Sequence, residues 1–177
     1  MQRSSLRMIH VRPRPGRPSQ GWLRAGLWCV PVALGRAGVK ANKREGDGGT
    51  PRGSFRPLRL WWRGDRRAPP RTMLPIRRIG RADAWCEDPK DRRYNHPFRR
   101  SAIEPGDRLW REDPLYDLII EIDHNQRPRV AGRGSAVFVH VARPGFAPTA
   151  GCIALTAREL QLLAQRLSRK TRIVIHS

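Results

Sequence analysis

Cys152 and His140 are the two side chains whose types and spacing promise chemistry. The stretch 137–155, VFVHVARPGFAPTAGCIAL, puts an imidazole near the end of an apolar run and a thiol twelve residues later. Between them stand Pro144 and Pro148, and the approach to the thiol reads Thr149-Ala150-Gly151. A thiol with a reference pKa of about 8.5 is a poor nucleophile until an imidazole takes its proton. Cys152 is therefore the candidate nucleophile and His140 the candidate base. Gly151 carries no side chain where a substrate carbonyl has to approach, and the backbone amides around it, from Ala150 to Cys152, are candidates for an oxyanion pocket. Thr149 is placed to brace this turn through its hydroxyl. Val141 follows His140 and offers no hydroxyl, so a backbone carbonyl is the expected partner that orients the ring.

The elements that must position these groups are legible nearby. Ala136, Phe138 and His140 alternate with Val137, Val139 and Val141, the period-two pattern of a strand, which fixes His140 on one face. Gly132-Arg133-Gly134-Ser135 delivers the chain into that strand, and residues 142–150 are long enough to return Cys152 alongside it. Thr156-Ala157-Arg158-Glu159 is a capping box that predicts a helix with Leu160, Leu163, Ala164 and Leu167 as its apolar stripe. Cys152 stands too far before that cap for the helix dipole to activate it. A last strand is expected over 171–176.

This segment resembles the catalytic stretch of the L,D-transpeptidase (YkuD-type) family of bacterial cell-wall enzymes, whose pattern is a His on a strand, a loop, then Ser/Thr-x-Gly-Cys. The family's upstream Thr-Pro-x-Gly-x-Phe/Tyr stretch is matched by Thr50-Pro51-Arg52-Gly53-Ser54-Phe55. The chain departs from the pattern at Ala150, where many members have His, at Ala154, where many have Arg or Asn, and in a short His-to-Cys loop. The resemblance implies a mainly β fold with a few helices (α+β), a sandwich or barrel-like catalytic domain spanning 1–177. It implies a cysteine acyltransferase that acts on peptidoglycan stem peptides as donor and acceptor, without cofactor or metal. Short, Arg-rich relatives lacking the second motif His are similar to a branch that links diaminopimelate to the L-alanine at the stem's start. Joining two diaminopimelate residues is the other transfer, and an L,D-carboxypeptidase or endopeptidase would use the same site with water. The substrate implies the periplasm or cell envelope.

Composition bounds this reading. A chain of 177 residues fits one domain, expected as a monomer. Lys and Arg number 36 against 15 acids, a formal net charge of +21 that attracts anionic partners. A basic nucleic-acid-binding protein is the rival from another class, and the arrangement disfavours it: arginines are scattered, with no basic helix, Cys/His finger or aromatic RNA-binding strand. Cys29, Cys86 and Cys152 are widely spaced, so no disulfide framework or zinc site is legible. Cys29 reads as a small core residue and Cys86 as a structural residue in a polar loop. No stretch approaches the length of a membrane span. Residues 1–20 are basic without an apolar h-region, so no signal peptide is recognisable, which leaves the cytoplasm as the alternative location.

Ahead of the motif, residues 6–11 and 21–34 read as a strand and a hairpin turning at 24–26, with Pro31 marking an edge or bulge. Residues 40–53, KANKREGDGGTPRG, form a Gly-rich surface loop without the order of a phosphate-binding loop. By resemblance it leads into the 50–55 turn beside the site. Leu58, Leu60 and Trp62 alternate with Arg59, Trp61 and Arg63 as a half-buried strand. Residues 64–113 read as a long inserted loop or lid that Trp85, Tyr94 and Trp110 pack down. Asp88, Arg92, Arg93, Tyr94 and Asn95 are expected either to wall the substrate groove or to cap local turns. Arg133 and Arg143 are candidates for gripping substrate carboxylates. Residues 115–122 predict a strand with Tyr116, Leu118, Ile120 and Ile122 on one face and Asp117 and Glu121 in solvent. His124 reads as an exposed turn residue.

Overall fold

Alternating apolar residues dictate most of this architecture. The structure is a computed structural model that describes residues 5–177; residues 1–4, the start of the segment read for a signal peptide, lie outside the described residues. An antiparallel meander of β1 (Met8–Arg14), β2 (Arg17–Ala25) and β3 (Trp28–Ala33) opens the fold. Short strands β4 (Val39–Lys40), β5 (Thr50–Pro51) and β6 (Gly53–Phe55) follow, then β7 (Pro57–Trp62). Within 64–113 lie β8 (Ile76–Arg78), β9 (Asp83–Trp85), β10 (Pro97–Arg99) and β11 (Asp107–Arg108). The second half supplies β12 (Leu118–Ile122), β13 (Phe138–Val141), β14 (Ile153–Leu155), helix α1 (Ala157–Ala164) and β15 (Arg172–Ile175).

Ten strands join in the order β6-β15-β1-β2-β3-β14-β13-β12-β7-β8 and curl into a half-barrel, the expected α+β fold in which β predominates. β9, β10 and β11 form a separate three-stranded sheet. Each face of the large sheet carries its own apolar cluster. Val137, Val139, Val141 and Ile153 belong to the first, which α1 covers with Leu160, Leu163, Ala164 and Leu167. The expected cap starts that helix: Thr156 Oγ1 accepts from the Glu159 amide at 3.3 Å and donates to the Glu159 carboxylate. Trp61, Ile119, Phe138 and Cys152 belong to the second, which Ile79, Trp85 and Leu109 cover from the 64–113 segment.

The segment expected as a long loop is thus largely folded, and its strands are too short to show periodicity in the sequence. It is anchored by aromatic contacts. The Trp85 ring stands edge-on to Phe138 at 4.9 Å and to Trp61 at 6.2 Å, and its indole donates to Asn95 Oδ1 at 3.0 Å. At its far end Arg63 is 3% exposed, pairs with Asp65 and stacks on Trp110 at 3.7 Å.

Other expectations need correction. Pro114 starts a one-turn 3-10 helix, Pro114–Tyr116, so Tyr116 leaves the strand pattern and joins the second cluster with Phe138. Asp117 and Glu121 are buried, because that face is covered: Glu121 accepts from the Trp61 indole at 2.8 Å and pairs with Arg59, and Asp117 pairs with Arg66 at 2.7 Å. Trp61 is likewise fully buried. Cys29 is exposed, since it alternates with the buried Val30 and Val32 on β3. That strand is interior to the sheet, yet it pairs with β14 at Ala33 alone, which leaves Pro31 free of a ladder bond on that side. The hairpin turn falls at Gly26 and Leu27.

Trp85→Ala should lower stability by about 3–5 kcal/mol, as for other buried tryptophans. Chemical denaturation measures it, and alkylation of Cys152 should accelerate in the same variant because the cover of the second face loosens.

Candidate active site

β13 and β14 run parallel with Val139 opposite Ile153 and His140 opposite Ala154. That register sets Cys152, one residue before Ile153, on the same face as His140 and Phe138. The two reactive side chains are diagonal neighbours on adjacent strands, about 7 Å apart at the backbone and within reach of an imidazole. Both line one cavity of about 280 Å3. Ala154, directly beside His140 in the register, is 1% exposed and leaves room for the ring.

A carbonyl can only accept, so the 2.8 Å contact between His140 Nδ1 and Val141 O puts the ring proton on Nδ1. The lone pair is left on Nε2, and the expected backbone partner is that of the next residue. The Tyr116 ring stands edge-on to the imidazole at 5.4 Å. Cys152 Sγ donates to Ala136 O at 3.2 Å and accepts from the Phe138 amide at 3.3 Å.

Thr149 braces the turn as its position suggests, donating from Oγ1 to Cys152 O at 2.7 Å and accepting from the Gly151 amide at 3.1 Å. The Gly151 amide is thereby taken, which corrects its place in the oxyanion pocket. The amides of Ala150 and Cys152 have no acceptor among the described residues and lie at the cavity wall. Gly151 answers a different need: its φ is +145°, and a Cβ there would sit 2.8 Å from Gly49 O.

The loop 41–49 is therefore the back wall of the site. Asp47 locks it, accepting from Lys43 Nζ at 2.5 Å and from the Arg44 and Gly49 amides at 2.8 Å each. The upstream Thr-Pro motif has a physical role here. Buried Thr50 accepts from the Gly35 amide at 2.8 Å, and the neighbouring Leu34 carbonyl and Arg36 amide bond to the backbone of Thr149.

The predicted substrate contacts divide. Arg143 lines the cavity. Tyr94 and Asn95 are each 2% exposed and face inward. The Tyr94 hydroxyl donates to Glu45 and accepts from the Gly134 amide at 3.0 Å. Asn95 accepts from the Ala136 amide at 3.2 Å and donates to the carbonyls of His124 and Asn125, tying the 64–113 segment to the strand that bears His140. Arg133 bonds Asn42 on the surface. Half-buried rather than exposed, His124 bonds the Arg133 carbonyl outside the cavity. The 64–113 segment does wall the cavity, through Glu87, Asp107 and Arg111, which sequence reasoning missed along with Glu45, Arg36, Tyr116 and Ser135. Only Tyr116 had a readable signal, the Pro114 turn before it.

Burial governs the charge state of the pair. It drives the His140 pKa down to about 4, with the Arg143 and Arg111 charges adding and the Val141 carbonyl opposing. It pushes the Cys152 thiol up to about 12, with Asp107 and Glu87 adding. The resting pair is thus neutral thiol and neutral imidazole. Between about pH 6.5 and 4 the unfolded state binds the His140 proton and the folded state does not, so stability falls as pH falls through that window. Between about pH 9 and 12 the unfolded state loses the Cys152 proton first, so stability falls as pH rises. Thermal denaturation against pH should show each edge shrink by up to about 3 kcal/mol, the acid one in His140→Gln and the alkaline one in Cys152→Ala.

The model of the L,D-transpeptidase catalytic domain (YkuD) matches residues 8–175. No curated protein and no solved structure matches the chain. With nearly its whole length inside that match, the chain belongs to the L,D-transpeptidase catalytic domain family.

Proposed function

We propose that the chain crosslinks peptidoglycan stem peptides through a cysteine acyl-enzyme, with residues 8–175 acting as one catalytic unit. The observation that carries this is the single cavity that Cys152 and His140 both line, with the free lone pair of the imidazole on Nε2. Because the resting sulfur is protonated, its attack on the donor carbonyl is coupled to proton transfer onto His140 Nε2. The developing oxyanion is met by the amides of Cys152 and Ala150. The departing D-amino acid or peptide takes the proton back from His140. An amine of a second stem then attacks the thioester and releases Cys152.

Arg143 and Arg36 face the cavity without an acidic partner among the described residues, which suits a substrate rich in carboxylates. A cell-wall substrate places the reaction in the envelope. Among the described residues no helix is long and apolar enough to cross a membrane.

Incubated with purified muropeptides, the protein should yield crosslinked dimers by mass spectrometry, and fragmentation identifies the amine and carbonyl joined. Cys152→Ala should yield none, and His140→Ala should slow turnover by about 10²–10⁴-fold. Trimmed monomers alone from the wild type would replace the transferase by the hydrolase, and salt-sensitive DNA binding without turnover would replace it by the nucleic-acid binder.

A further inference from the structure

A single hydrogen bond does not fix a ring. Nδ1 of His140 is tied to Val141 O at 2.8 Å, and the imidazole can still pivot about that bond. Its neighbour across the parallel register, Ala154, offers a methyl group and no brace. The brace comes from another element. Tyr116, at the end of the 3-10 turn Pro114–Tyr116, stands edge-on to the imidazole at 5.4 Å with the ring planes 78° apart, and edge-on to Phe138 of the same strand at 6.1 Å. Among the described residues no other aromatic ring contacts His140.

Three charged side chains fix Tyr116 in turn. Its hydroxyl donates to Asp107 Oδ2 at 2.6 Å, and burial holds the phenol well above its usual pKa, so the hydroxyl remains the donor. The Arg111 guanidinium lies over the ring, 5.1 Å from its centroid. Arg111 also pairs with Asp113 at 2.6 Å and stands 4.0 Å from Asp107, so one cation sits between the two acids. Asp113 caps the turn by accepting from the Leu115 amide at 3.2 Å. A ring held at its hydroxyl, its face and its backbone is a more rigid support than the filling of a core requires.

We propose that Tyr116 is the positioning residue of His140, the edge of its ring barring the imidazole from pivoting about the Val141 bond and so keeping Nε2 turned to the cavity that Cys152 lines. This rests on the acyl-enzyme reading above, in which Nε2 receives the thiol proton as the sulfur bonds to the donor carbonyl. A displacement of about 1 Å can slow an enzymic step by about 10²-fold. Tyr116 therefore acts on the rate of acylation and not on donor affinity. Because it lines the same cavity, contact with substrate is the rival role, and that role would register in affinity.

The test is a double-mutant cycle in the full chain, with donor muropeptide as substrate and the Cys152 adduct followed by intact mass. Tyr116→Leu, which lacks the flat edge, should slow acylation at saturating donor by at least about tenfold, with the half-saturating concentration unchanged within about twofold. Thermal denaturation shows that it folds; if it does not, Tyr116→Met, which fills the volume without a flat edge, takes its place. Tyr116→Phe keeps the edge, loses only the bond to Asp107, and should be slowed by no more than about threefold. In the His140→Ala background none of these substitutions should slow acylation by more than about twofold, because no imidazole is left to position. Nitrogen NMR of His140 needs no turnover: the wild type should show Nδ1 protonated and Nε2 bare, Tyr116→Leu should draw the two shifts together, and Tyr116→Phe should not. Wild-type acylation by Tyr116→Leu, an equal loss in both backgrounds, or a loss confined to the half-saturating concentration overturns the proposal and leaves the acyl-enzyme standing. Absence of any adduct on Cys152 in the wild type overturns the acyl-enzyme reading and this proposal with it.

Discussion

Burial of β13 on both faces is the constraint on which the rest depends. Val139 and Val141 are committed to the layer under α1, and the strand period then sends Phe138 and His140 to the opposite layer without further instruction. A one-residue slip would exchange the two sets and bury the imidazole against α1. The parallel register with β14 extends the same commitment to Cys152, because Ile153 must stay with the valines. The meeting of Cys152 and His140 on one face is here a by-product of core packing.

The second layer exists because the 64–113 segment closes over it. Trp85 serves as its keystone, touching Phe138 on the strand of the base and Trp61 on β7. The cost of that closure is desolvation, which is what makes both reactive groups neutral at rest. Burial opposes a standing ion pair of thiolate and imidazolium in such a site. The Val141 carbonyl fixes the tautomer of the imidazole in advance.

The sequence disclosed the site through local signals and concealed what depended on tertiary cover. The alternation around His140, the glycine before Cys152, the brace at Thr149 and the cap at Thr156 are all encoded within a few residues. Asp117, Glu121 and Cys29 were misjudged because polarity and apolarity were read without knowing which face another segment would cover. The acids at 45, 87 and 107 were invisible for a related reason. They come from two loop positions and a two-residue strand, and nothing in their own surroundings says that the fold gathers them at one cavity. Tyr94 and Asn95 do more than cap local turns: their bonds to Glu45, Gly134, Ala136, His124 and Asn125 join segments far apart in the chain, which nothing in their own neighbourhood announces.

The sulfur held between Ala136 O and the Phe138 amide has a bearing on survival in an oxidising setting. Peroxide and disulfide-forming reagents attack the anion of cysteine, not its protonated form. Burial that pushes the Cys152 thiol up to about 12 keeps the fraction of that anion small. Cys29, exposed on β3, is the sulfur left open to them, and it does not line the cavity of Cys152.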